Sequence, residues 1–353
     1  MNLRNREFID REQTGNMNEE PIRVASLGLG WWSDVLADAV GRTPALEIAA
    51  CYTRSEDKRE AFAEKFGCRA AGSYEEILLD DSIRGIINTT PNSEHLGTVA
   101  QAAAAGKHVF LDKPIANTVA DGLAIDRICD AAGIVLSVGY QRRRESHFRW
   151  IRREIEAGRF GRLIQAEANI SRDRLGKIDT TSWRYQAAGM PGGVMLQIGI
   201  HYSDVLEMLL GPVRRVSAVT AQLVLPGDNP DIANLILEHE NGAVSNLSTS
   251  YASASEFYML NVYGKEASAY YDLFGGLRHL RRGDARATDV PCESNDTLVE
   301  ELEEFAACIH GTATPEVSAR RAIESLAVIR AGILSASERR PVEVTELLGS
   351  SDS

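Results

Sequence analysis

Two short motifs in this chain carry residues suited to dinucleotide chemistry. Gly28-Leu29-Gly30 follows the apolar run Ile22–Leu27 and leads into Trp31-Trp32-Ser33. A glycine turn between a strand and a helix can hold a pyrophosphate, because free backbone N–H groups and the positive end of the helix dipole face the phosphates. Asp112-Lys113-Pro114 ends a later apolar run, where a lysine would meet both the nicotinamide and a substrate hydroxyl. The two motifs together indicate hydride transfer, whereas neither does so alone.

The end of the second apolar run bears on the choice of dinucleotide. NAD enzymes often carry an acid there, about 20 residues past the glycines, but this chain has Tyr52-Thr53-Arg54-Ser55. The hydroxyls of Thr53 and Ser55 and the planar cation of Arg54 suit a ribose 2′-phosphate. We therefore expect these three residues to contact the cofactor and NADP(H) to be favoured over NAD(H). The alternative is that Arg54 is an ordinary solvated arginine.

Alternating strand and helix patterns must position these motifs. The strand-like runs of the first part are short and mostly apolar: Ile22–Leu27, Glu47–Tyr52, Ile83–Asn88, His108–Leu111 and Val135–Tyr140. Helical patterns lie between them: Ser33–Val40, Glu56–Phe66, Tyr74–Leu79, Glu94–Ala105 and Val119–Ala132. Such alternation predicts an α/β domain from residue 21 to residue 145, with a doubly wound parallel sheet of the Rossmann type.

From residue 146 to residue 353 the pattern predicts an α+β domain with a large, mostly antiparallel open sheet. Longer strand-like runs follow one another here: Leu163–Ile170, Val213–Leu225, Ile232–Glu240, Val244–Tyr251, Tyr258–Gly264 and Ala267–Asp272. Asn241-Gly242 is typical of a tight turn between two of them. One helix, Val194–Leu210, interrupts the strands, and the C-terminal helices are expected to pack back on the first domain. Residues 1–20 are polar and of mixed charge, which predicts a flexible extension.

Beyond these patterns, the chain resembles the Gfo/Idh/MocA oxidoreductase family. Four stretches carry the resemblance, in the family's order: Gly28-Leu29-Gly30, Thr90-Pro91-Asn92-Ser93-Glu94-His95, Asp112-Lys113-Pro114, and Gly192-Gly193 through His201 to Asp204. The family's usual form of the third stretch is Glu-Lys-Pro, so Asp112 is a mild variant. The resemblance implies that Lys113 is the active-site lysine and that Pro114 fixes its turn.

The resemblance also implies which other residues meet the ligands. The segment passing the ribose and pyrophosphate would supply Thr90, Pro91, Asn92 and His95. The expected cofactor contacts also include both glycines, Leu29, Trp31, Trp32, Asp112, Lys113 and Pro114. The resemblance implies substrate contacts for Lys113, Trp183 and Arg184. The residues themselves add Gln197, His201 and Arg142 as expected substrate contacts, for the reasons given below.

Polar side chains share one face of the helix pattern that follows the glycine pair. Gln197, His201 and Asp204 stand at positions i, i+4 and i+7 of an otherwise apolar helix. A free lysine, with a pKa of ~10.4, is a poor base at neutral pH, but burial and a nicotinamide cation would lower its pKa. The family usually has aspartate at the position of Gln197. Unlike an aspartate carboxylate, the side-chain amide of Gln197 cannot take a proton. We therefore predict that Lys113 and His201 do the proton work, that Gln197 orients the substrate, and that Asp204 steadies His201.

An arginine run, Gln141-Arg142-Arg143-Arg144, follows the last strand of the first domain. Arg142 is our candidate for binding an anionic substrate group, and the alternatives are a solvated surface or an intersubunit contact. The function that these features imply is an NAD(P)-dependent oxidoreductase acting on a secondary alcohol or ketone of a sugar, cyclitol or similar polyhydroxylated molecule. A dihydrodiol or carbonyl-acid dehydrogenase and a non-catalytic dinucleotide-binding sensor stay open as alternatives.

Composition excludes several other classes of protein. The 353 residues carry a net charge of -12, which argues against nucleic-acid binding. No run approaches the ~20 apolar residues of a membrane span. Five cysteines without C-x-x-C spacing indicate neither a disulfide framework nor a zinc site, and we expect a cytoplasmic protein without a metal. The open sheet of the second domain is expected to form a homodimer or homotetramer.

Overall fold

The structure is a computed structural model, and it describes residues 20–179 and 181–349. Residues 1–19 of the expected extension therefore lie outside the described part. The first sheet has six parallel strands: β1 Ile22–Leu27, β2 Leu46–Tyr52, β3 Arg69–Ala70, β4 Gly85–Asn88, β5 His108–Asp112 and β6 Leu136–Gly139. Their order is β3-β2-β1-β4-β5-β6, which confirms the predicted Rossmann sheet. The two-residue strand β3 was not predicted.

Helices cover both faces of this sheet, as continuous apolar strands require. They are α1 Trp31–Val40, α2 Glu56–Phe66, α3 Tyr74–Leu78, α4 His95–Ala104 and α5 Val119–Ala132. Local sequence sets several of their ends. The side chain of Ser73 caps α3 and that of Thr118 caps α5, while Gly67 ends α2 in the left-handed conformation.

The second sheet has nine strands and is mostly antiparallel, as predicted. The strands are β7 Leu163–Asp173, β8 Val213–Ala221, β9 Ile232–His239, β10 Val244–Ser250, β11 Ala252–Gly264, β12 Ala267–Asp272, β13 Gly276–Arg281, β14 Thr288–Val290 and β15 Val342–Glu343. Among its described strands, only β7 and β10 pair in parallel. The predicted tight turn joins β9 to β10, and Gly242 takes a positive φ there. The last three strands were not predicted.

Five further helices complete the described chain: α6 Ser146–Glu156, α7 Ile200–Leu210, α8 Thr297–Ile309, α9 Ala319–Glu338 and α10 Thr345–Leu348. Helix α8 packs on the first sheet, where Phe305 meets Phe110 edge to face with ring centroids 5.9 Å apart. Helix α9 packs against α5, and a Cβ added at Gly122 would lie 3.1 Å from Ile323. Helix α9 belongs to the large buried core that includes residues of both sheets, whereas α8 belongs to a separate core on the first sheet.

Candidate active site

A cleft lies between the carboxyl ends of the first sheet and the second domain, and its empty space measures about 610 Å³ when the open solvent at its mouth is included. The chain reverses its direction of travel across the first sheet between β1 and β4, and ligands of such folds bind outside that point. The residues that line the cleft are Trp31, Trp32, Asn92, Asp112, Lys113, Gln141, Arg172, Arg174, Trp183, Arg184, Met190, Gln197, Ile198 and His201.

The glycine turn that borders the cleft is built for close approach. Gly28 has φ +85°, and a Cβ on it would lie 2.7 Å from the backbone nitrogen of Thr90. Gly28 is therefore required so that the turns after β1 and β4 can touch. At Gly30, in contrast, no atom stands within 4 Å of an added Cβ. Gly30 also starts α1 without a side-chain cap, so the first N–H groups of the helix face this open space.

The turn fits a dinucleotide pyrophosphate, because it offers backbone donors, a helix N-terminus and room for the phosphates. Ser33 stands at the usual third glycine position, and it is fully buried. Its hydroxyl lies 2.8 Å from that of Ser26, which holds α1 close to β1. Leu29 packs into a small apolar cluster with Phe62, so only its backbone can face a ligand.

His95 ties together two turns that border the cleft. The ring is fully buried, with Nε2 3.0 Å from the carbonyl oxygen of Thr90 and Nδ1 3.1 Å from that of Pro114. It therefore fixes the turn after β4 relative to the turn after β5. Asn92 reaches the cleft, and its amide donates to Asn117 at 3.0 Å. The resemblance implied a cofactor contact for His95, but its ring contacts the protein's own backbone.

Lys113 leaves the carboxyl end of β5 and enters the cleft. Its Nζ donates a hydrogen bond of 2.9 Å to the backbone carbonyl of Gln197. Burial lowers the pKa of Lys113 to about 8, with Arg172 and Arg184 also disfavouring its charge and Asp112 opposing them. A lysine with this pKa is a usable proton acceptor at neutral to mildly alkaline pH.

Gln197 lies on a short π-helical turn, Met195–Gly199, which precedes α7. The predicted helix Val194–Leu210 is therefore not α-helical throughout. The side-chain oxygen of Gln197 accepts a hydrogen bond from the hydroxyl of Tyr251. That bond leaves the amide N–H groups as the free end of the side chain. Gln197 can thus donate to a substrate oxygen, but it cannot accept a proton.

His201 stands in the first turn of α7 and lines the cleft with Lys113. Burial, together with the charges of Lys113 and Arg142, holds the pKa of His201 well below its ordinary value. The imidazole is therefore neutral at neutral pH and can both donate and accept a hydrogen bond. Its Nδ1 has no hydrogen-bond partner among the described residues.

Asp204 does not steady His201, and that expectation was wrong. Its carboxylate lies 3.5 Å from Arg143 and 3.6 Å from Arg321, with the hydroxyl of Ser325 at 3.4 Å. The physical reason is that α7 is buried on several sides, so Asp204 turns towards the cations of α9 and of the arginine run. This buried charge network lies behind the cleft and does not line it.

The arginine run after β6 is also occupied within the protein. Arg142 pairs with Glu145 at 2.9 Å, and its guanidinium lies 4.4 Å from the centre of the Tyr258 ring. Arg144 pairs with Glu304 at 2.9 Å. Arg142 is therefore not among the residues that line the cleft, although it was our candidate for an anionic substrate group. Gln141 of the same turn does line it.

The end of β2 presents Thr53, Arg54 and Ser55 beside the glycine turn, where Gly28 donates to the carbonyl of Tyr52 at 3.0 Å. Arg54 is exposed, and its guanidinium has no ion pair or hydrogen bond with any residue that the structure describes. Arg59 supports this end of the strand, donating to the carbonyl of Thr53 at 2.7 Å. An unpaired guanidinium at this place fits a ribose 2′-phosphate.

Sequence reasoning missed several residues of the site. They are Gln141, Arg172, Arg174, Met190 and Ile198 in the lining and Tyr251 behind Gln197. Among residues 20–179 and 181–349, no group of three or more His, Cys, Asp or Glu side chains could hold a metal ion. No helix of that part is long and apolar enough to cross a membrane.

Comparison with known proteins identifies the type of both domains. Residues 22–140 match a family model described as the oxidoreductase family with an NAD-binding Rossmann fold. Residues 148–270 match one described as the GFO/IDH/MocA C-terminal domain. Both matches fall on the two sheets that enclose the cleft.

Individual relatives match over nearly the whole chain. The chain is 27% identical to D-apiose dehydrogenase of Paraburkholderia graminis, covering 92% of this chain and 90% of that protein. It is 24% identical to the NADP(+)-dependent scyllo-inositol 2-dehydrogenase of Bacillus subtilis, covering 93% and 97%. A solved structure assigned as an NADPH-dependent oxidoreductase of Desulfitobacterium hafniense superposes with a TM-score of 0.89 at 32% identity, covering 94% of this chain and 100% of that one.

Proposed function

The chain belongs to the Gfo/Idh/MocA oxidoreductase family, and from that membership we propose an NAD(P)-dependent oxidoreductase. It would transfer a hydride between the nicotinamide and a secondary alcohol or ketone of a sugar, cyclitol or related polyhydroxylated substrate. The observation that carries the proposal is the buried Lys113, which shares one cleft with a neutral His201 and borders the open glycine turn. Relatives that act on apiose and scyllo-inositol support this substrate class.

The proposed chemistry divides the work among three side chains. When bound, the dinucleotide supplies the hydride acceptor or donor. In the oxidation direction, Lys113 in its neutral form takes the proton of the substrate hydroxyl. The neutral imidazole of His201 holds that hydroxyl by a hydrogen bond. Gln197, whose side chain is anchored by Tyr251, donates to a neighbouring substrate oxygen and so fixes the orientation of the reacting carbon.

The pH dependence follows from Lys113. Its pKa of about 8 means that the neutral, proton-accepting form becomes dominant only above that pH. We expect kcat/KM for oxidation to rise roughly tenfold per pH unit below the pKa and to level off above it. Reduction needs the protonated lysine, so its rate should fall as pH rises through the same range. Initial rates in both directions from pH 6 to 10 would measure this, and a flat profile would contradict the assignment of Lys113 as the base.

The choice of dinucleotide is the part of the proposal that rests on Arg54. The exposed, unpaired guanidinium at the end of β2 supports a preference for NADP(H). Replacing Arg54 with alanine is expected to weaken NADP(H) binding by about 10- to 100-fold, the size of a lost charge-assisted hydrogen bond. NAD(H) binding should change by less than about threefold, since no 2′-phosphate is lost. Trp31 and Trp32 line the cleft and give a fluorescence signal for both titrations.

Arg127, exposed on α5, is a control for this substitution because its removal takes the same charge from another surface. The Arg127→Ala protein should bind both dinucleotides as the unsubstituted protein does. Equal losses of NAD(H) and NADP(H) binding in the Arg54→Ala protein would remove the argument for NADP(H).

The direct test of the proposed function is a cofactor-reduction screen. The panel would contain pentoses, hexoses, inositols, a dihydrodiol and hydroxy acids, each assayed with NAD and with NADP. Turnover confined to the dihydrodiol or the hydroxy acids would favour those alternatives, which the amide of Gln197 keeps open. Tight dinucleotide binding without turnover of any member would favour a non-catalytic sensor.

We also propose that the open face of the second sheet forms the interface of a homodimer or homotetramer. This face exposes apolar side chains of two neighbouring strands, including Val219 and Ile236 at 72% and 54%. Light scattering that gives a monomer at micromolar concentration would contradict the proposal. A cytoplasmic location is supported by the five cysteines, all of them free.

A further inference from the structure

At the end of strand β7, two arginines lie on one face of the sheet and the aspartate between them lies on the other. Ala166, Ala168 and Ile170 are buried on one face, and the same alternation continues to Arg172 and Arg174 in the cleft. Asp173, between the two arginines, faces the other way and lies 3.4 Å from Lys177. Strand periodicity therefore aims two cations into the cleft and keeps the neighbouring acid out of it.

These two cations have no counterion among the residues that the structure describes. Neither Arg172 nor Arg174 forms an ion pair or a side-chain hydrogen bond with any described residue, and the Nε of Arg172 is buried without a partner. The arginines of the run after β6 contrast with them, since Arg142 and Arg144 each lie 2.9 Å from a carboxylate. A buried donor without a partner destabilises the protein, so we expect the partner of this N–H group to be part of the ligand.

The charge balance of the whole cleft points the same way. Its cationic lining residues are Lys113, Arg172, Arg174 and Arg184. Asp112 is the single acid in the described lining, and burial raises its pKa. A cleft this positive in a protein of net charge -12 concentrates anions. The face of Tyr258 helps to hold Arg172, whose guanidinium lies 5.8 Å from the ring centre.

We propose, on the basis of the function above, that the substrate carries an oxyanion which Arg172 and Arg174 bind. The chemistry they recognise is a carboxylate or phosphate, because guanidinium groups donate two parallel hydrogen bonds to such groups. The substrate is therefore a sugar acid or a sugar phosphate rather than a neutral sugar. Since Lys113 lines the same cleft, the oxyanion and the reacting hydroxyl belong to one molecule.

The test compares anionic compounds with their neutral parents. D-galacturonate and D-glucuronate would be assayed against D-galactose and D-glucose, and glucose 6-phosphate and an inositol phosphate against glucose and myo-inositol. We expect kcat/KM at least about tenfold higher for the anionic members of one of these two arms, because a charge-assisted pair is gained. The arm that responds, carboxylate or phosphate, identifies the source of the oxyanion.

Substitution of Arg172 assigns the effect to this side chain. The Arg172→Met protein should lose about 10- to 100-fold in kcat/KM for the anionic substrates, mainly through KM, and less than about threefold for the neutral ones. Arg172→Lys should recover part of the loss, because it restores the charge without the planar fork. Arg127→Met on α5 removes an exposed charge outside the cleft and should leave kcat/KM unchanged for both the anionic and the neutral substrates. Melting temperatures would show whether each variant folds.

The outcomes separate this inference from the proposed function. Faster turnover of the neutral parents would overturn the oxyanion proposal and leave the oxidoreductase intact. If no compound is turned over, the oxyanion site can still be tested by binding. Each anionic compound and its neutral parent would be titrated calorimetrically into the protein loaded with NADP(H), and their affinities compared. Tighter binding of the anionic members that is lost in Arg172→Met would support the oxyanion site while the proposed reaction fails. Equal binding of anionic and neutral members would overturn the oxyanion site.

Discussion

Replacing Lys113 with methionine is expected to lower kcat roughly 10²- to 10⁴-fold, the usual size of a general acid–base contribution. Methionine fills a similar volume but can neither take nor return a proton. The substitution leaves the carbonyl of Gln197 without its donor, which costs about 1–3 kcal/mol of stability at most. Dinucleotide affinity should stay within a few-fold, because the glycine turn and the end of β2 are unchanged. Single-turnover rates and fluorescence titration would measure the two quantities separately.

The chain contains a matched control for this substitution. Lys107 is also buried, and its Nζ donates to the backbone carbonyl of Asp80 at the same distance of 2.9 Å. It precedes β5, at the opposite end of the strand from Lys113. Lys107→Met should therefore lower stability by a similar amount and leave kcat unchanged. A loss in kcat below about tenfold for Lys113→Met, or an equal loss in both proteins, would contradict the role of Lys113 as the base.

The parallel sheet could be predicted because each of its main strands is a continuous apolar run between helical patterns. The strands that were not predicted lack such an apolar run. Both residues of β3 are exposed, and β13 carries Arg278, His279 and Arg281 among its six residues and ends in a charged turn. Such segments become strands because a neighbouring strand offers free backbone groups, which is a property of the assembled sheet and not of the segment.

The candidate site divides in the same way. Lys113 and the glycine turn stand at strand ends that motif spacing reveals. Spacing cannot reveal which arginines are free to bind a ligand. The run at 142–144 suggested an anion site, but Arg144 pairs with Glu304 and Arg143 with Glu316, and both carboxylates come from distant segments of the chain. The only sequence signal for Arg172 was strand alternation carried two residues past the predicted end of the run. Tyr251 gave no signal, since its contact with Gln197 spans 54 positions.

Substitution of Gly30 can separate cofactor binding from folding. The Gly30→Asp protein is expected to lose cofactor binding and to fold normally. The backbone at Gly30 is extended, with φ -110°, so any residue fits there, and no atom lies within 4 Å of an added Cβ. Aspartate is a favoured first residue for a helix. The free energy of unfolding should stay unchanged or rise by roughly 0.5 kcal/mol.

In the Gly30→Asp protein, the new carboxylate would occupy the space for the pyrophosphate. It would also place its negative charge beside those of the phosphates, which costs several kcal/mol of binding free energy. Dinucleotide affinity should therefore fall at least about 100-fold. Gly28→Ala gives the opposite contrast, because its Cβ would meet the backbone of Thr90 at 2.7 Å and should destabilise the fold itself. Thermal melts and tryptophan fluorescence titrations of both variants measure the two effects. A Gly30→Asp protein that binds NADP(H) normally would show that the phosphates lie elsewhere, since no bound pyrophosphate could share that space with a carboxylate.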